Sequence, residues 1–429
     1  MMELPAQHAS DFMQLLTLAC AEAESGAAAL VPVERQPLLN GAPYRAFRQS
    51  LDIVDRRRAG TFFSGPALAQ DLVRLLQSTM PAGGLVLDPT CGIGDLLLAY
   101  AASLPIAATL SATLMAWGEQ LAGIELRPDL VLMAKTRLMA LARARGRFSD
   151  PVADIERLFP HIVVGDMFQE PARIATAAGI LFNPPFGRTS DHKGASWGSG
   201  RLSAAALFLD AVLRARASST PIAAVLPEVL RCGSRYGRFR DRLAEAGISG
   251  AFESHGQFDQ WTDIDVFTTL LLPKAGALWP AASAIQDRAV GDAFTVRVGP
   301  VVPHRDPCKG PWRRYICAKS VPAWSDAFEP VLNRRFQGTS FTPPFVVVRR
   351  TSSPKDRKRA VGAIIVGDRP VAVENHLLVL MPKDGQLQSC VALLRVLSSD
   401  AATDHLNQTI RCRHLTTGSV STISWPETT

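Results

Sequence analysis

No stretch of this sequence offers the roughly 18 consecutive apolar residues that a membrane-crossing helix needs. The nearest approach, Ala101 to Trp117, is interrupted by Ser103, Pro105, Ser111 and Thr113. The beginning of the chain lacks the basic-then-apolar order of a secretion leader. A cytoplasmic protein without membrane contact is the expectation. Cysteine is sparse and unpatterned, with seven residues at 20, 91, 232, 308, 317, 390 and 412. No two are spaced C-x-x-C, and neither Cys308 with Cys317 nor Cys412 with His414 makes a zinc set. Free thiols are expected, with neither disulfides nor a metal. There is no internal repeat and no long low-complexity tract.

What is present fits a soluble globular chain. A length of 429 residues with 47% hydrophobic content allows two domains and a sizeable core. The net charge is +7, and it is unevenly placed. From Gly299 onward there are 18 Lys and Arg against 10 Asp and Glu, an excess of 18 − 10 = +8. The remainder has 28 against 29, or −1. A basic third beside a near-neutral remainder suits a polyanionic partner, although a merely soluble basic surface has the same composition.

The order of elements is more specific. Residues 1–55 read as a helical segment. From Pro66, Ala67, Leu68, Leu72, Leu75 and Leu76 recur at helical spacing. Then strand and helix alternate. Leu85–Leu87 runs into Asp88, Leu121–Ile124 into Glu125, His161–Gly165 into Asp166, and Gly179–Phe182 into Asn183. Helices are expected over Pro128–Leu141, Ser203–Arg216 and Arg235–Ala246, with further strands at Ile222–Leu226 and Phe267–Leu272. Such alternation specifies a mostly parallel sheet covered on both faces. Ligands bind beyond the carboxyl ends of its strands, so Asp88, Glu125, Asp166 and Asn183 are expected along one edge. Past about residue 285 the pattern changes to short apolar runs, Phe345–Val348, Ala363–Val366 and Leu377–Leu380, separated by polar, basic turns. The expected organisation is 1–55, 56–285 and 286–429. The fold class is α/β, a Rossmann-like doubly wound sheet with a second, smaller α+β domain rich in strands.

Three constellations carry chemistry. Asp88-Pro89-Thr90-Cys91-Gly92-Ile93-Gly94 follows a buried strand and opens a helix, so its glycines permit a tight turn and close approach of a ligand. A plain strand-to-helix turn has the same appearance. Glu125 ends the next strand, where an acid accepts hydrogen bonds from ribose hydroxyls. Asp166 could receive the amino group of an adenine ring. Asn183-Pro184-Pro185-Phe186-Gly187 is the third. Two prolines lock the backbone and remove two amide donors, leaving carbonyls as acceptors. A carboxamide oxygen and a rigid carbonyl can together accept both hydrogens of an exocyclic amine, and Phe186 offers a ring for stacking.

In this order the motifs resemble the gamma-arranged N6-adenine DNA methyltransferases, including type I modification subunits and stand-alone type II enzymes. The resemblance covers roughly residues 55–275. It implies S-adenosylmethionine as cofactor, held by Asp88, Pro89, Thr90, Cys91, Gly92 and Gly94 around its methionine part. Glu125 and Leu126 would meet the ribose, and Asp166 and Met167 the adenine, with Phe182 or Ile180 packed on the ring. Gly60–Pro66, with Thr61, Phe62 and Phe63, resembles the segment that folds over the cofactor, with Ser-Gly where Thr-Pro is usual. Asn183, Pro184, Pro185 and Phe186 would be catalytic, and Phe208 and Asp210 match the family's fifth motif. Phe267 resembles a late aromatic that packs on an extruded base. The last third would be the target-recognition domain, with Arg349, Arg350, Lys355, Arg357, Lys358 and Arg359 on the phosphates of double-stranded DNA. About 55 residues ahead of the sheet leave no room for a fused nuclease, so a restriction endonuclease or other defence subunit would be a separate chain. Two other readings stay open: a methyltransferase acting on RNA or a protein glutamine, and a non-catalytic DNA-binding subunit of the same fold.

Overall fold

The computed structural model describes residues 17, 38–43, 45, 65–150, 154–192, 194–258, 264–279, 288–411 and 413–426. Most of the expected N-terminal helical segment lies outside them, as do Thr61, Phe62 and Phe63. The chain divides into two units, the first ending at Trp279 and the second running from Pro280, with Arg231–Ser234 grouped into the second.

The first unit is built on strand–helix repeats. Its strands are β1 (Val86–Asp88), β2 (Leu121–Glu125), β3 (Ile162–Val164), β4 (Gly179–Phe182), the two-residue pair β5 (Arg188–Thr189) and β6 (Leu202–Ser203), β7 (Ile222–Pro227), β8 (Ser249–Gln257) and β9 (Asp265–Leu272). The main sheet has the order β3-β2-β1-β4-β7-β9-β8. Pairings among β3, β2, β1, β4 and β7 are parallel, and β9 runs antiparallel between β7 and β8. β1 and β4 are fully buried along their length, as continuous apolar strands in a two-face-covered sheet must be. The covering helices include α1 (Pro66–Gln77), α2 (Asp95–Ala101), α3 (Leu110–Gly118), α4 (Pro128–Gly146), α5 (Ala204–Ala215) and α6 (Gly237–Glu245). This is the Rossmann-like doubly wound sheet expected from the sequence.

Some boundaries differ from expectation, each for a physical reason. The helix expected to stop at Leu141 continues to Gly146, because the guanidinium of Arg143 is accommodated inside, donating to the Asp150 carbonyl at 2.6 Å. β8 has no counterpart among the expected strands. Its sequence SGAFESHGQ alternates only weakly, as an edge strand paired on one side can do. The broken apolar stretch Ala101–Trp117 holds α3, whose Trp117 is fully buried and donates Nε1–H to the Pro105 carbonyl at 2.9 Å.

Among its described residues the second unit has seven strands: β10 (Phe294–Val298), β11 (Trp312–Ile316), β12 (Leu332–Arg335), β13 (Phe345–Arg349), β14 (Gly362–Ile365), β15 (Val371–Val373) and β16 (Leu377–Pro382). An antiparallel sheet, β10-β16-β13-β14, is accompanied by a three-stranded one, β12-β11-β15. The apolar runs are continuous because both faces of the first sheet are covered. Val346, Val348, Leu378 and Leu380 enter one core with α7 (Leu387–Leu397) and α8 (Asp400–Thr409). Their alternates Val347, Leu377 and Val379 enter another with Ile316, Val371 and Val373.

The basic turn between β13 and β14 is not the exposed phosphate-binding loop that its charge suggested. Arg359 is 0% exposed. Its guanidinium donates to Ser352 Oγ at 3.1 Å, Asn407 Oδ1 at 2.9 Å and the Ile410 carbonyl at 2.7 Å. It ties the turn to α8, and water or phosphate has no access to it. Lys358 pairs with Asp400 at 2.6 Å. Arg349 donates to the Val321 carbonyl, and Arg350 to the carbonyls of Leu415 and Asn375. Only Lys355 and Arg357 of the six cations are exposed. The physical reason is that a guanidinium carries five donors, so it can satisfy backbone carbonyls inside a domain as readily as it binds anions. Arg359→Ala is expected to destabilise the protein by about 2–4 kcal/mol, by orphaning buried acceptors, and Arg357→Ala to shift it by less than about 0.5 kcal/mol. Denaturant unfolding of the two variants checks this, and equal effects would contradict the assignment.

Candidate functional site

In a doubly wound sheet the ligand crevice opens where neighbouring strands carry their connections in opposite directions. Here that point lies between β1 and β4, which pair as Val86 with Gly179 and Leu87 with Ile180. From β1 the chain moves outward to β2 and β3; from β4 it moves outward to β7. Asp88 and Asn183 therefore end the two strands that flank the crevice, and Glu125 ends the next strand over.

The turn after β1 is drawn tight. Asp88 Oδ1 accepts from Thr90 N at 3.0 Å, Cys91 N donates to the Ile124 carbonyl at 3.0 Å, and Gly94 N returns to the Cys91 carbonyl at 2.7 Å. Gly94 stands at φ 81° as N-cap of α2, and an added Cβ would come within 2.9 Å of Ala134 Cβ on α4. Only glycine satisfies both demands. From behind, Arg137 of α4 holds the turn. Its Nη1 donates to the Ile93 carbonyl at 2.6 Å and to Asp95 Oδ1 at 2.7 Å, while Nε donates to the Leu38 carbonyl at 2.8 Å.

Glu125 is set by two backbone amides, with Gly92 N donating to Oε2 at 3.2 Å and Arg127 N to Oε1 at 3.1 Å. Each carboxylate oxygen keeps a second lone pair for a vicinal diol. Asp166 Oδ1 accepts from Phe168 N at 3.0 Å, and the Phe168 ring meets Phe208 edge-on at 4.7 Å. Beside these acids Leu126 is 66% exposed and Val164 51% exposed. Glu125 and Val164 are registered partners across β2 and β3. Two bare aliphatic side chains between two oriented carboxylates suit a planar apolar ring with a polar edge. The residues present fit S-adenosylmethionine: Glu125 would accept from its ribose hydroxyls, Leu126, Val164 and Asp166 would serve its adenine, and the Gly92–Gly94 turn its methionine end.

Several of the expected ligand contacts have buried side chains. Cys91 and Met167 are buried beside the strand ends, and Ile180 and Phe182 at the centre of the sheet. Strand residues just before the edge point into the layers, and only the edge residues themselves reach the crevice. Asp88 is likewise 2% exposed, beneath the turn it organises. Burial lifts its carboxyl from the ordinary 3.8 to about 8, against the opposing effect of the Thr90 amide, with Glu125 and Asp95 adding to the rise. Burial also raises Glu125.

The turn after β1 and the Asn183–Phe186 cluster are one construction. Thr90 Oγ1 donates to the Asn183 carbonyl at 3.2 Å across the crevice. Asn183 and Phe186 are nearly buried, and Phe186 is met edge-on by Phe258 at 5.2 Å. Phe258, at the end of β8, is the aromatic neighbour that the sequence did not reveal. Phe267, expected in that role, is fully buried between Phe252 and Trp279, with ring centroids 6.2 and 5.1 Å away. The error is one of strand: Phe267 lies inside β9 opposite Leu226, whereas Phe258 follows the unforeseen β8. A second feature also went unforeseen. Beyond Gly187 the chain makes the β5–β6 pair, on which exposed Arg188 and Arg201 each donate to the other's carbonyl at 3.1 Å. The loop between them is anchored by Trp197 against Phe239 at 4.8 Å. Two cations therefore flank the cluster in the first unit, where net charge had given no signal. Among the described residues no group of three or more His, Cys, Asp or Glu could hold a metal ion, and no helix is long and apolar enough to cross a membrane.

No protein-family model matches the chain, and no curated protein matches it. Solved structures do. MmeI, a type IIL restriction-modification enzyme in complex with DNA, shares 12% identity over 91% of this chain and 70% of that one, with a TM-score of 0.53. The type IIG restriction endonuclease BpuSI shares 13% over 84% of this chain, at a TM-score of 0.40. The M protein of the type I restriction enzyme EcoKI shares 15% over 56%, at 0.37. The chain spans 58% of BpuSI and 49% of the EcoKI protein. At 12% identity the likeness to MmeI shows the fold alone.

Two outcomes follow. Between about pH 4 and pH 8 the folded chain keeps a proton on Asp88 that the unfolded chain has lost, so this group's contribution to stability declines as pH rises through that window. Asp88→Asn is expected to flatten the profile, so that its unfolding midpoint gains on wild type between pH 5 and pH 8. Parallel curves would show that Asp88 is ionised in the fold. If duplex DNA is a ligand of this chain, Arg188→Ala and Arg201→Ala should each weaken its binding and lower the slope of log affinity against log salt by about 1 per phosphate contacted. Fluorescence anisotropy across a salt series measures it, and unchanged slopes would show that these two residues touch no phosphate.

Proposed function

We propose that this chain transfers a methyl group from S-adenosylmethionine to the N6 amine of an adenine in double-stranded DNA, in a restriction-modification or related defence setting. The observation that carries the proposal is the Thr90–Asn183 hydrogen bond. It joins a turn suited to the cofactor's methionine end to a rigid carboxamide-and-carbonyl pair suited to a planar amine.

Bound S-adenosylmethionine supplies an electrophilic methyl on a sulfonium. The protein's work is positioning. Asn183 Oδ1 and the Pro184 carbonyl accept the two amine hydrogens, which directs the nitrogen lone pair away from the strand end and into the crevice. Pro185 keeps the backbone from relaxing, because its φ is fixed by the ring. As the N–C bond forms, the methyl–sulfur bond breaks and its electron pair stays on sulfur; the amine then gives up one proton to water, a loss eased by the polarised contact to Asn183. A duplex hides this amine, so the base must leave the stack, at a cost of a few kcal/mol. Phe186 and Phe258 offer the apolar rings against which it can be held. In the free chain they cover one another edge-to-face, and the entering base replaces part of that contact with stacking. Glu125 and Asp166, oriented by backbone amides, fix the cofactor's ribose and adenine. The exposed faces of Leu126 and Val164 exclude water from its ring.

Digestion of DNA from cells expressing the protein, followed by nucleoside mass spectrometry, should show N6-methyladenine. Parallel assays on RNA and on protein should be blank; methylation of either in place of DNA would overturn the acceptor assignment. Asn183→Ala is expected to reduce transfer by at least a thousandfold, in keeping with loss of an orienting group at the reacting centre. Calorimetry should find its cofactor affinity within about threefold of wild type, since Asn183 lies on the amine side of the crevice. Loss of cofactor binding in that variant would instead make Asn183 a structural support.

A further inference from the structure

With Arg359, Arg349 and Arg350 bonded to internal partners and Lys358 paired with exposed Asp400, the excess charge of the second unit needs another outlet. The β11–β12 ribbon provides one. Trp312 is 69% exposed, the most solvent-accessible aromatic among the large exposed apolar residues described. Its cross-strand partner is Arg335, and the next pair on the same face is Arg314 with Asn333. Arg335 and Asn333 are exposed as well. Residues directly opposite across an antiparallel pair share a face, so one side of this strand pair presents an indole, two guanidiniums and a carboxamide.

The backbone beneath them is locked. Gly310, just ahead of β11, stands at φ 97°, and an added Cβ would come within 2.9 Å of the Gln337 backbone. Phe336 N donates to the Pro311 carbonyl at 3.1 Å, and the Phe336 ring is buried with Val301 and Ala372. Arg335 Nε donates to the Gly310 carbonyl at 2.9 Å. At the other end Ile316 continues the same face into a core with Val371 and Val373. Arg314, nearest that core, is partly engaged by Glu329 at 3.8 Å. The ribbon is therefore a rigid platform whose solvent end holds Trp312, Arg335 and Asn333 in fixed places.

We propose that this face of the ribbon reads base edges in the target duplex and that Trp312, Asn333 and Arg335 set the recognition sequence. The inference rests on the proposed DNA substrate. At the Trp312 end, before β15 joins β11 at Arg314, the sheet is a two-stranded antiparallel ribbon, and such a ribbon fits the major groove, which is about 12 Å wide. Arginine is the side chain that pairs with the O6 and N7 of guanine, asparagine pairs with the N6 and N7 of adenine, and an apolar ring meets the thymine methyl. The surrounding third of the chain carries the +8 excess (18 − 10) that a phosphate backbone requires.

The test is base-resolved sequencing of modified DNA from cells expressing wild type, Trp312→Ala, Asn333→Ala or Arg335→Ala, with thermal melting of each purified variant as a folding control. Wild type should mark one motif. Each variant should keep its melting temperature and still methylate, with discrimination at one or two motif positions reduced about tenfold or more. Trp312→Phe should restore most of the stringency. Variants that mark the wild-type motif with wild-type stringency would overturn the ribbon assignment alone. So would variants that lose a co-purifying protein partner while the motif is unchanged. If wild type marks no base in DNA, the substrate reading falls and takes the ribbon assignment with it.

Discussion

Everything at the carboxyl edge of the first sheet depends on one backbone constraint: the turn between Asp88 and Gly94 has to close on itself and on its neighbours. Its shape is enforced from four directions. Asp88 pulls in the Thr90 amide from below, Glu125 takes the Gly92 amide from the side, Arg137 takes the Ile93 carbonyl from behind, and Thr90 reaches across to Asn183. Each contact is an ordinary hydrogen bond, several of them to charged or buried groups and so stronger than the neutral kind. Together they leave the turn few alternatives, and a site that is already shaped loses little entropy when it binds.

That arrangement has a cost, visible in Asp88. A carboxyl group sealed under the turn with only one described amide donor is driven toward its neutral form. Natural chains keep such groups where geometry matters more than stability. The same trade recurs at Phe186 and Phe258. Two aromatic rings at the mouth of a crevice would be exposed in the absence of a base, and their edge-on contact hides part of that surface.

The sheet was legible in the sequence because its signal is redundant. Four apolar runs end in Asp88, Glu125, Asp166 and Asn183, and helix spacing between them repeats the message. Side chains were harder. The charge of Lys355–Arg359 says nothing about direction, and Arg359 faces inward because Ser352, Asn407 and the Ile410 carbonyl are there to receive it. None of those partners is adjacent in sequence. Phe258 was missed because β8 alternates too weakly to announce a strand, which left Phe267 as the only late aromatic on a recognisable one. Trp312 and Arg335 lie 23 positions apart, and only the pairing of β11 with β12 brings them together.

The ribbon also bears on how such a protein can change. Ile316 is the residue through which this face joins a core; Trp312, Asn333 and Arg335 lie outside the three buried clusters of the second unit. Replacing them should leave the packing nearly untouched, because exposed side chains away from caps and networks contribute little to folding. Mutation can therefore explore new combinations at these three positions without passing through unfolded intermediates. A lineage built this way could diversify its targets quickly while the crevice edge, bound by interlocking constraints, stayed conservative.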